Sequence, residues 1–175
     1  SRLPDRYAIL EGRNMKQVLA NLDRIIGNRV DLLQLRLKTL PPAEISAVYA
    51  AVLAKCRARG IQVLLNSDLR LSDQAADGLH LSSRALLACR SRPANYPWVA
   101  ASCHNLAELR HAEHIGADFA VLAPVLPTST HPAAQALGWE IMAGLIAQVN
   151  LPVFALGGLD LDDMDRVLHA GAQGI

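Results

Sequence analysis

The stretch VDLLQLRLKTLPPAEISAVYAAVLAKCRARGIQVLL, residues 30–65, decides the fold class. Residues 33–38 alternate leucine with polar side chains, which is the period of a half-buried strand. Pro41 and Pro42 then open a helix, whose apolar residues recur at helical spacing until Gly60 ends it. An apolar run of strand type follows immediately. A strand, a helix and a second strand in this order predict a pair of parallel strands.

The same alternation runs along the whole chain and predicts strands at residues 6–10, 30–37, 61–65, 78–81, 98–102, 119–123, 153–156 and 173–175. Eight strands separated by helices or short turns favour an α/β fold of the (β/α)8 TIM barrel type over an open doubly wound sheet. The sequence ends where the eighth strand begins, so the last helix of such a barrel is expected to be missing. We expect residues 1–175 to form a single domain.

Composition limits the classes of function. The 175 residues are 51% hydrophobic, and 17 basic against 16 acidic residues give a net charge of +1. Such a charge gives no reason to expect nucleic acid or a membrane surface as a partner. The longest run free of charged or strongly polar residues, 119–127, is far below the roughly 20 residues of a membrane-spanning helix. Three widely spaced cysteines without a CxxC motif argue against disulfides and zinc ribbons, which favours a cytoplasmic protein.

The second predicted strand carries the clearest functional signal. Its leucines share one face, and Gln34, Arg36 and Lys38 share the other, which would bring them to the mouth of the barrel. Two neighbouring cations repel each other unless an anion joins them, so this face predicts a phosphate or diphosphate site. The alternative is that Lys38 is solvated and Arg36 pairs with a carboxylate.

Further polar residues fall at the ends of the next strands, namely Asn66, Ser67, His80, Ser102 and His104. Each of them could be a simple turn or cap residue. Because the carboxyl ends of parallel strands lie at one edge, where barrel enzymes place their active sites, we expect these side chains to converge.

Two segments later in the chain are candidates for a second phosphate site. The long loop 124–137 contains Thr128 and Thr130, whose hydroxyls could bind phosphate, and loops of this length are usually functional. Gly157 and Gly158 follow the seventh strand and would let the backbone approach an anion closely. A tight strand-to-helix turn would require the same two glycines.

Six segments in register resemble the thiamine phosphate synthase and TenI family of (β/α)8 barrels. They are QLRLK at 34–38, LLN at 64–66, ADGLHL at 76–81, SCH at 102–104, PVLPTST at 124–130 and GG at 157–158. The synthases of that family join a pyrimidine methyl diphosphate to a thiazole phosphate and release diphosphate. The resemblance therefore implies a barrel of thiamine metabolism, with phosphorylated small molecules as its partners.

The resemblance also implies roles for individual residues. Catalytic roles at the departing diphosphate fall to Ser102 and Lys38. Contacts to the diphosphate and the pyrimidine fall to Gln34, Arg36, Lys38, Asn66, His80 and Ser102. Contacts to the thiazole phosphate fall to Thr128, Thr130, Gly157 and Gly158.

The family's Mg²⁺ is held by two aspartates, and the matching positions here carry Ser67 and Ala85. Mg²⁺ is thus a candidate cofactor without its usual carboxylates, no metal ligand is assigned, and whether the chain is an enzyme stays open. Two alternatives remain, a non-catalytic domain that binds a phosphorylated ligand and a metal-independent thiazole tautomerase, although the tautomerase's histidine falls near Pro124. Family members of this kind also occur behind a Nudix hydrolase, so an N-terminal Nudix domain in a longer chain is a further expectation.

Overall fold

A computed structural model describes residues 3–69, 76–128 and 135–175. Their strands are β1 (Ala8–Leu10), β2 (Leu32–Leu35), β3 (Gln62–Asn66), β4 (Gly78–Leu81), β5 (Trp98–Cys103), β6 (Phe119–Leu122) and β7 (Val153–Ala155). Their helices are α1 (Met15–Gly27), α2 (Pro42–Arg57), α3 (Ser83–Ala88), α4 (Leu106–Ile115), α5 (Gly138–Ile146) and α6 (Met164–His169), with a short 3-10 turn at Leu161–Asp163. None of these helices is long and apolar enough to cross a membrane.

All seven strands run parallel and pair in sequence order from β1 to β7, which confirms the predicted α/β class. The sheet curls into a half-barrel. Residues 173–175 connect its two edges, because Ala155 N–H donates to Gly174 O at 2.9 Å and Tyr7 N–H donates to Ile175 O at 2.8 Å. This predicted eighth strand is present as a single parallel bridge between Phe154 and Gly174.

The outer face of β2 explains why the alternating stretch folds as it does. Leu33 and Leu35 are fully buried against apolar residues of α1 and α2, such as Val18 and Val52. Burial of each leucine is worth about 1.5–3 kcal/mol, so a shift of register by one residue would be costly. The prediction that the leucine face packs on helices is confirmed, and the opposite face of β2 is left for the interior.

The interior of the half-barrel is filled first by an apolar layer. The rings of Tyr7, Phe119 and Phe154 lie 5.0–5.6 Å apart there and pack beside Leu32 and Leu64. Side chains alternate along a strand, so the next inward position on each strand lies two residues towards its carboxyl end. A second layer is therefore stacked directly on the apolar one.

Candidate active site

That second layer is polar and is built by four neighbouring strands. Two residues beyond the apolar positions stand Gln34 on β2, Asn66 on β3, His80 on β4 and Ser102 on β5. Gln34, Asn66 and His80 are only 2%, 5% and 0% exposed, whereas Ser102 is half-buried. Four of the residues that the sequence predicts at this edge of the sheet therefore lie in one layer. Polar groups this deeply buried must satisfy one another by hydrogen bonds.

Direct hydrogen bonds join these residues in two pairs. Asn66 Nδ2 donates to Gln34 Oε1 at 2.7 Å. His80 Nε2 lies 2.7 Å from Ser102 Oγ. Asn66 also accepts from the backbone N–H of Asp68 at 2.9 Å through its Oδ1, which fixes the orientation of its amide.

Tyr7 connects the two pairs, and the sequence analysis did not identify it. Its hydroxyl lies 2.8 Å from His80 Nδ1, and the Gln34 side chain acts on the same hydroxyl by lowering its pKa. Burial raises the pKa of Tyr7 well above its usual value, so the phenol keeps its proton. A signal was present in the sequence, since Tyr7 is the one residue of the first predicted strand with both an aromatic body and a polar tip.

The imidazole of His80 is held in its neutral form. Complete burial, with a further contribution from the Arg36 cation, lowers the pKa of His80 from 6.5 to about 3. A neutral imidazole has one donor and one acceptor nitrogen. His80 therefore serves near neutral pH as a hydrogen-bonding group.

A cavity of about 440 Å³ opens beside the polar layer, at the carboxyl ends of β2 and β3. Its polar lining includes Arg36, Lys38, Asn66 and Asp68, and its apolar wall includes residues from the start of α2. Asn66 belongs both to the cavity and to the polar layer, so the two are continuous. Two cations and an amide at one opening suit an anionic ligand with a polar heterocycle.

The sequence left open whether Arg36 lines an anion site or pairs with a carboxylate, and the structure shows it at the cavity and paired with a carboxylate. It lines the cavity, and its Nη1 also donates to Glu11 Oε1 at 2.9 Å. The side chains of Arg36 and Glu11 are 29% and 48% exposed, so water screens this pair. Lys38 is exposed and forms no ion pair within the described ranges.

The positions that the resemblance reserves for Mg²⁺ do not fit that ion. Ser67 Oγ accepts from the Ser82 backbone N–H at 3.0 Å, and Ala85 offers no oxygen ligand beyond its backbone. Asp68 is the one carboxylate among the described residues that line the cavity, 3.5 Å from Ser82 Oγ. No group of three metal-ligating side chains occurs in the described part of the chain. Protein-bound Mg²⁺ is held by one or two carboxylates besides phosphate oxygens, and among the described residues this cavity offers only Asp68, so the described residues do not form the family's two-aspartate site.

The backbone conformation and the close packing of the turn after β7 both require glycine at its two positions. Both have positive φ, 99° at Gly157 and 66° at Gly158. A Cβ on Gly157 would lie 2.7 Å from Pro124 Cα, and one on Gly158 would lie 2.9 Å from Leu126 Cβ. The tight turn is therefore what these glycines visibly provide, and their contact with phosphate stays a prediction.

Two of the remaining candidates lie outside the four strands of the polar layer, His104 directly after β5 and Thr128 in the loop after β6. His104 Nδ1 lies 3.0 Å from Glu108 Oε1 on α4, and its side chain is 53% exposed. Thr128 is half-buried in the loop that packs against the glycine turn. Thr130 lies outside the described residues.

Comparisons with known proteins agree with this architecture. A family model described as thiamine monophosphate synthase matches residues 6–175. A protein of Aquifex aeolicus named "Putative thiamine-phosphate synthase 2" is 32% identical, over 99% of this chain and 95% of the relative. The thiamine-phosphate synthase of Thiobacillus denitrificans is 31% identical, over 97% of this chain and 82% of the relative. A thiamine phosphate pyrophosphorylase from Pyrococcus furiosus has a similar fold, with a TM-score of 0.77 at 24% identity, covering 98% of this chain and 84% of that one.

Proposed function

The chain belongs to the thiamine monophosphate synthase family, and from this premise we propose that it joins a pyrimidine methyl diphosphate to a thiazole phosphate with release of diphosphate. The observation that carries the proposal is the continuity of the polar layer with the cavity that Arg36 and Lys38 line. A buried neutral surface next to two cations matches a substrate with a heteroaromatic ring on one side and a diphosphate on the other.

The proposed reaction balances without moving a proton. The bond between the pyrimidine methylene carbon and the diphosphate oxygen breaks, and its electron pair leaves with the diphosphate. The lone pair of the thiazole nitrogen then forms the new carbon–nitrogen bond. Negative charge develops on the leaving oxygen, so cations and hydrogen-bond donors fixed beside that oxygen lower the barrier.

The residues divide between these tasks. Arg36 and Lys38 neutralise the diphosphate, and Ser102 hydrogen-bonds its departing oxygen. Gln34, Asn66 and His80 hold the pyrimidine. The thiazole phosphate is assigned to Thr128, Thr130 and the Gly157–Gly158 turn.

Mg²⁺ has no step in this proposal, because the described donors do not form its two-carboxylate site. The charge of the leaving group is carried by Arg36 and Lys38 instead. The proposal also includes a closed eight-stranded barrel, since residues 173–175 hydrogen-bond to both edges of the sheet. A Nudix domain in a longer chain and a cytoplasmic location stay predictions.

The test is to incubate the chain with both substrates, with and without Mg²⁺, and to measure thiamine phosphate by fluorescence after oxidation. We expect product in both conditions. We also expect Arg36→Ala to weaken binding of inorganic diphosphate by about 1.5–3 kcal/mol, the range for a hydrogen bond to a charged group. That corresponds to about 10- to 150-fold in Kd.

Arg110→Ala, which removes an exposed arginine of α4, is the matched control and should change neither quantity. Absence of product from a folded chain would refute the transferase. Stabilisation by a substrate without turnover would instead support the binding domain, because a ligand that binds the native state raises its stability. Strict dependence on Mg²⁺ would contradict the assignment of the leaving-group charge to Arg36 and Lys38.

A further inference from the structure

The hydrogen bonds of the polar layer form one chain with a defined direction. The chain starts at the backbone N–H of Asp68, which can only donate, and which donates to Asn66 Oδ1 at 2.9 Å. The other end of that amide must then be Nδ2, which donates to Gln34 Oε1 at 2.7 Å. The orientation of the first amide thereby determines the orientation of the second.

The direction continues through Tyr7 to His80. The Gln34 side chain lowers the pKa of Tyr7, which is the effect of an N–H that donates to the phenol oxygen, so Nε2 is the group that faces the Tyr7 hydroxyl. The phenol oxygen accepts from Gln34, and its own proton is then donated to His80 Nδ1 at 2.8 Å. A neutral imidazole whose Nδ1 accepts has its single proton on Nε2. That proton is donated to Ser102 Oγ at 2.7 Å.

We propose that Tyr7 and His80 are positioning residues that hold the Ser102 hydroxyl as a hydrogen-bond donor to an anionic oxygen of the substrate. Ser102 Oγ accepts a hydrogen bond from His80 Nε2–H, so its own O–H is left to point towards the open end of the site. The reverse direction would present only oxygen lone pairs to the diphosphate and would repel it. A donor fixed before the substrate arrives needs no reorganisation during the reaction, and each bond polarises the next.

The same direction of the hydrogen bonds excludes nucleophilic catalysis by Ser102. A histidine nitrogen 2.7 Å from a serine oxygen suggests a nucleophile and its base. A base needs a lone pair on the nitrogen that faces the serine, and here that nitrogen carries the proton. Ser102 and His80 are therefore not a nucleophile–base pair.

The direction of the chain can be tested independently of turnover. Nitrogen-15 NMR of the His80 imidazole distinguishes a protonated Nε2 from a protonated Nδ1. We expect Nε2 to carry the proton in the wild type and the preference to be lost in Tyr7→Phe. Tyr96→Phe, which removes a phenol hydroxyl outside the layer, is the control. A proton on Nδ1 of the wild type would overturn the proposal, whatever the chain catalyses.

The role assigned to Ser102 rests on the proposed function and needs a double-mutant cycle. Tyr7→Phe should lower kcat about five- to tenfold with little change in KM, the size expected for loss of one hydrogen bond. In a Ser102→Ala background the same change should have no further effect, because the two residues act through one bond. Independent, multiplying losses would overturn the positioning role. If no turnover is found at all, the same cycle in the Kd of inorganic diphosphate decides the question.

Discussion

Glu11 is the residue that competes with the expected anion for Arg36. Its carboxylate lies 2.9 Å from the guanidinium at the edge of the cavity. Glu11→Gln removes this negative charge and leaves the guanidinium available to a ligand. We expect the variant to bind inorganic diphosphate about two- to fivefold more tightly, as befits a water-screened pair worth less than about 1 kcal/mol.

Isothermal titration calorimetry at low salt measures this change. Asp23→Asn is the matched control, since it removes the carboxylate of a comparable pair with Lys55 between α1 and α2. Weaker binding by Glu11→Gln would show that Glu11 orients Arg36 for the ligand and does not compete with it.

His80 should make the stability of the protein depend on pH. Its folded-state pKa of about 3 lies below the unfolded value near 6.5, so below pH 6.5 the unfolded chain takes up a proton that the folded chain does not. The stabilisation is complete above pH 6.5 and is lost as the pH falls towards 3, at about 1.4 kcal/mol per unit. Between pH 7 and pH 5, we expect His80 alone to account for a loss of about 2 kcal/mol.

Urea unfolding of wild type and His80→Gln at the two pH values measures this contribution. The loss between pH 7 and pH 5 should be smaller in the variant, even if the variant is less stable throughout. His114→Gln, at an exposed position of α4, controls for the loss of an imidazole. Equal losses in wild type and His80→Gln would mean that His80 is protonated in the folded chain.

The face of the sheet on which a strand residue lies could be predicted from the sequence, but its contacts with residues of other strands could not. Alternation along the second strand was enough to place Gln34 on the inner side, and the positions of Asn66 and Ser102 at the carboxyl ends of their strands were enough to predict that they meet at the same edge. Tyr7 escaped notice because an aromatic residue in a short apolar strand is normally part of the core. Its bond to His80 joins residues 73 positions apart, and no local pattern encodes such a contact.

At the level of single elements, Gly78 sets how closely β4 can approach its neighbours. A Cβ there would lie 2.6 Å from Trp98 Cβ on β5 and 2.9 Å from Leu64 Cγ on β3. We expect Gly78→Ala to lower the free energy of unfolding by about 1–3 kcal/mol, the usual cost of overpacking.

Gly144→Ala in α5 is the control with the opposite sign. Nothing lies within 4 Å of a Cβ at that position, so alanine should stabilise the helix by about 0.5–1 kcal/mol. Urea unfolding of the two variants side by side measures both values. Equal stability of Gly78→Ala and the wild type would mean that β4 and β5 can separate freely.

The order of elements follows from periodicity alone, but their ends do not. The predicted strand at 30–37 is observed as Leu32–Leu35, and the predicted strand at 6–10 as Ala8–Leu10. A residue belongs to a strand only where it pairs with a neighbouring strand, and three residues of β1 pair with β2. The helix α3, at Ser83–Ala88, is six residues long and too short for its periodicity to be recognised.

For the whole molecule, the meeting of the two chain ends matters most. Ile175 N–H donates to Asp5 O at 3.1 Å, and Tyr7 N–H donates to Ile175 O at 2.8 Å. Tyr7 thus belongs both to this junction and to the polar layer. Sequence periodicity predicted a strand at 173–175 but could not show that the first residues of the chain would pair with it.

A substitution at Gly174 can break the junction between the two chain ends. A Cβ on Gly174 would overlap the carbonyl group of Asp5, so alanine must push the two ends apart. We expect Gly174→Ala to lower the free energy of unfolding by about 1–3 kcal/mol. We also expect it to weaken diphosphate binding, because displacement of Tyr7 would disturb the direction of the hydrogen-bond chain that ends at Ser102.

Gly27→Ala, at the end of α1 with nothing within 4 Å of its Cβ, is the control for both measurements. Urea unfolding measures the effect on the contact between residues 173–175 and the first residues of the chain, and calorimetry with inorganic diphosphate measures the effect on the site. If Gly174→Ala lost stability but bound diphosphate like the wild type, the junction would be purely structural. A parallel loss in both would mean that the contact of residues 173–175 with the first residues of the chain holds Tyr7 in place for the site.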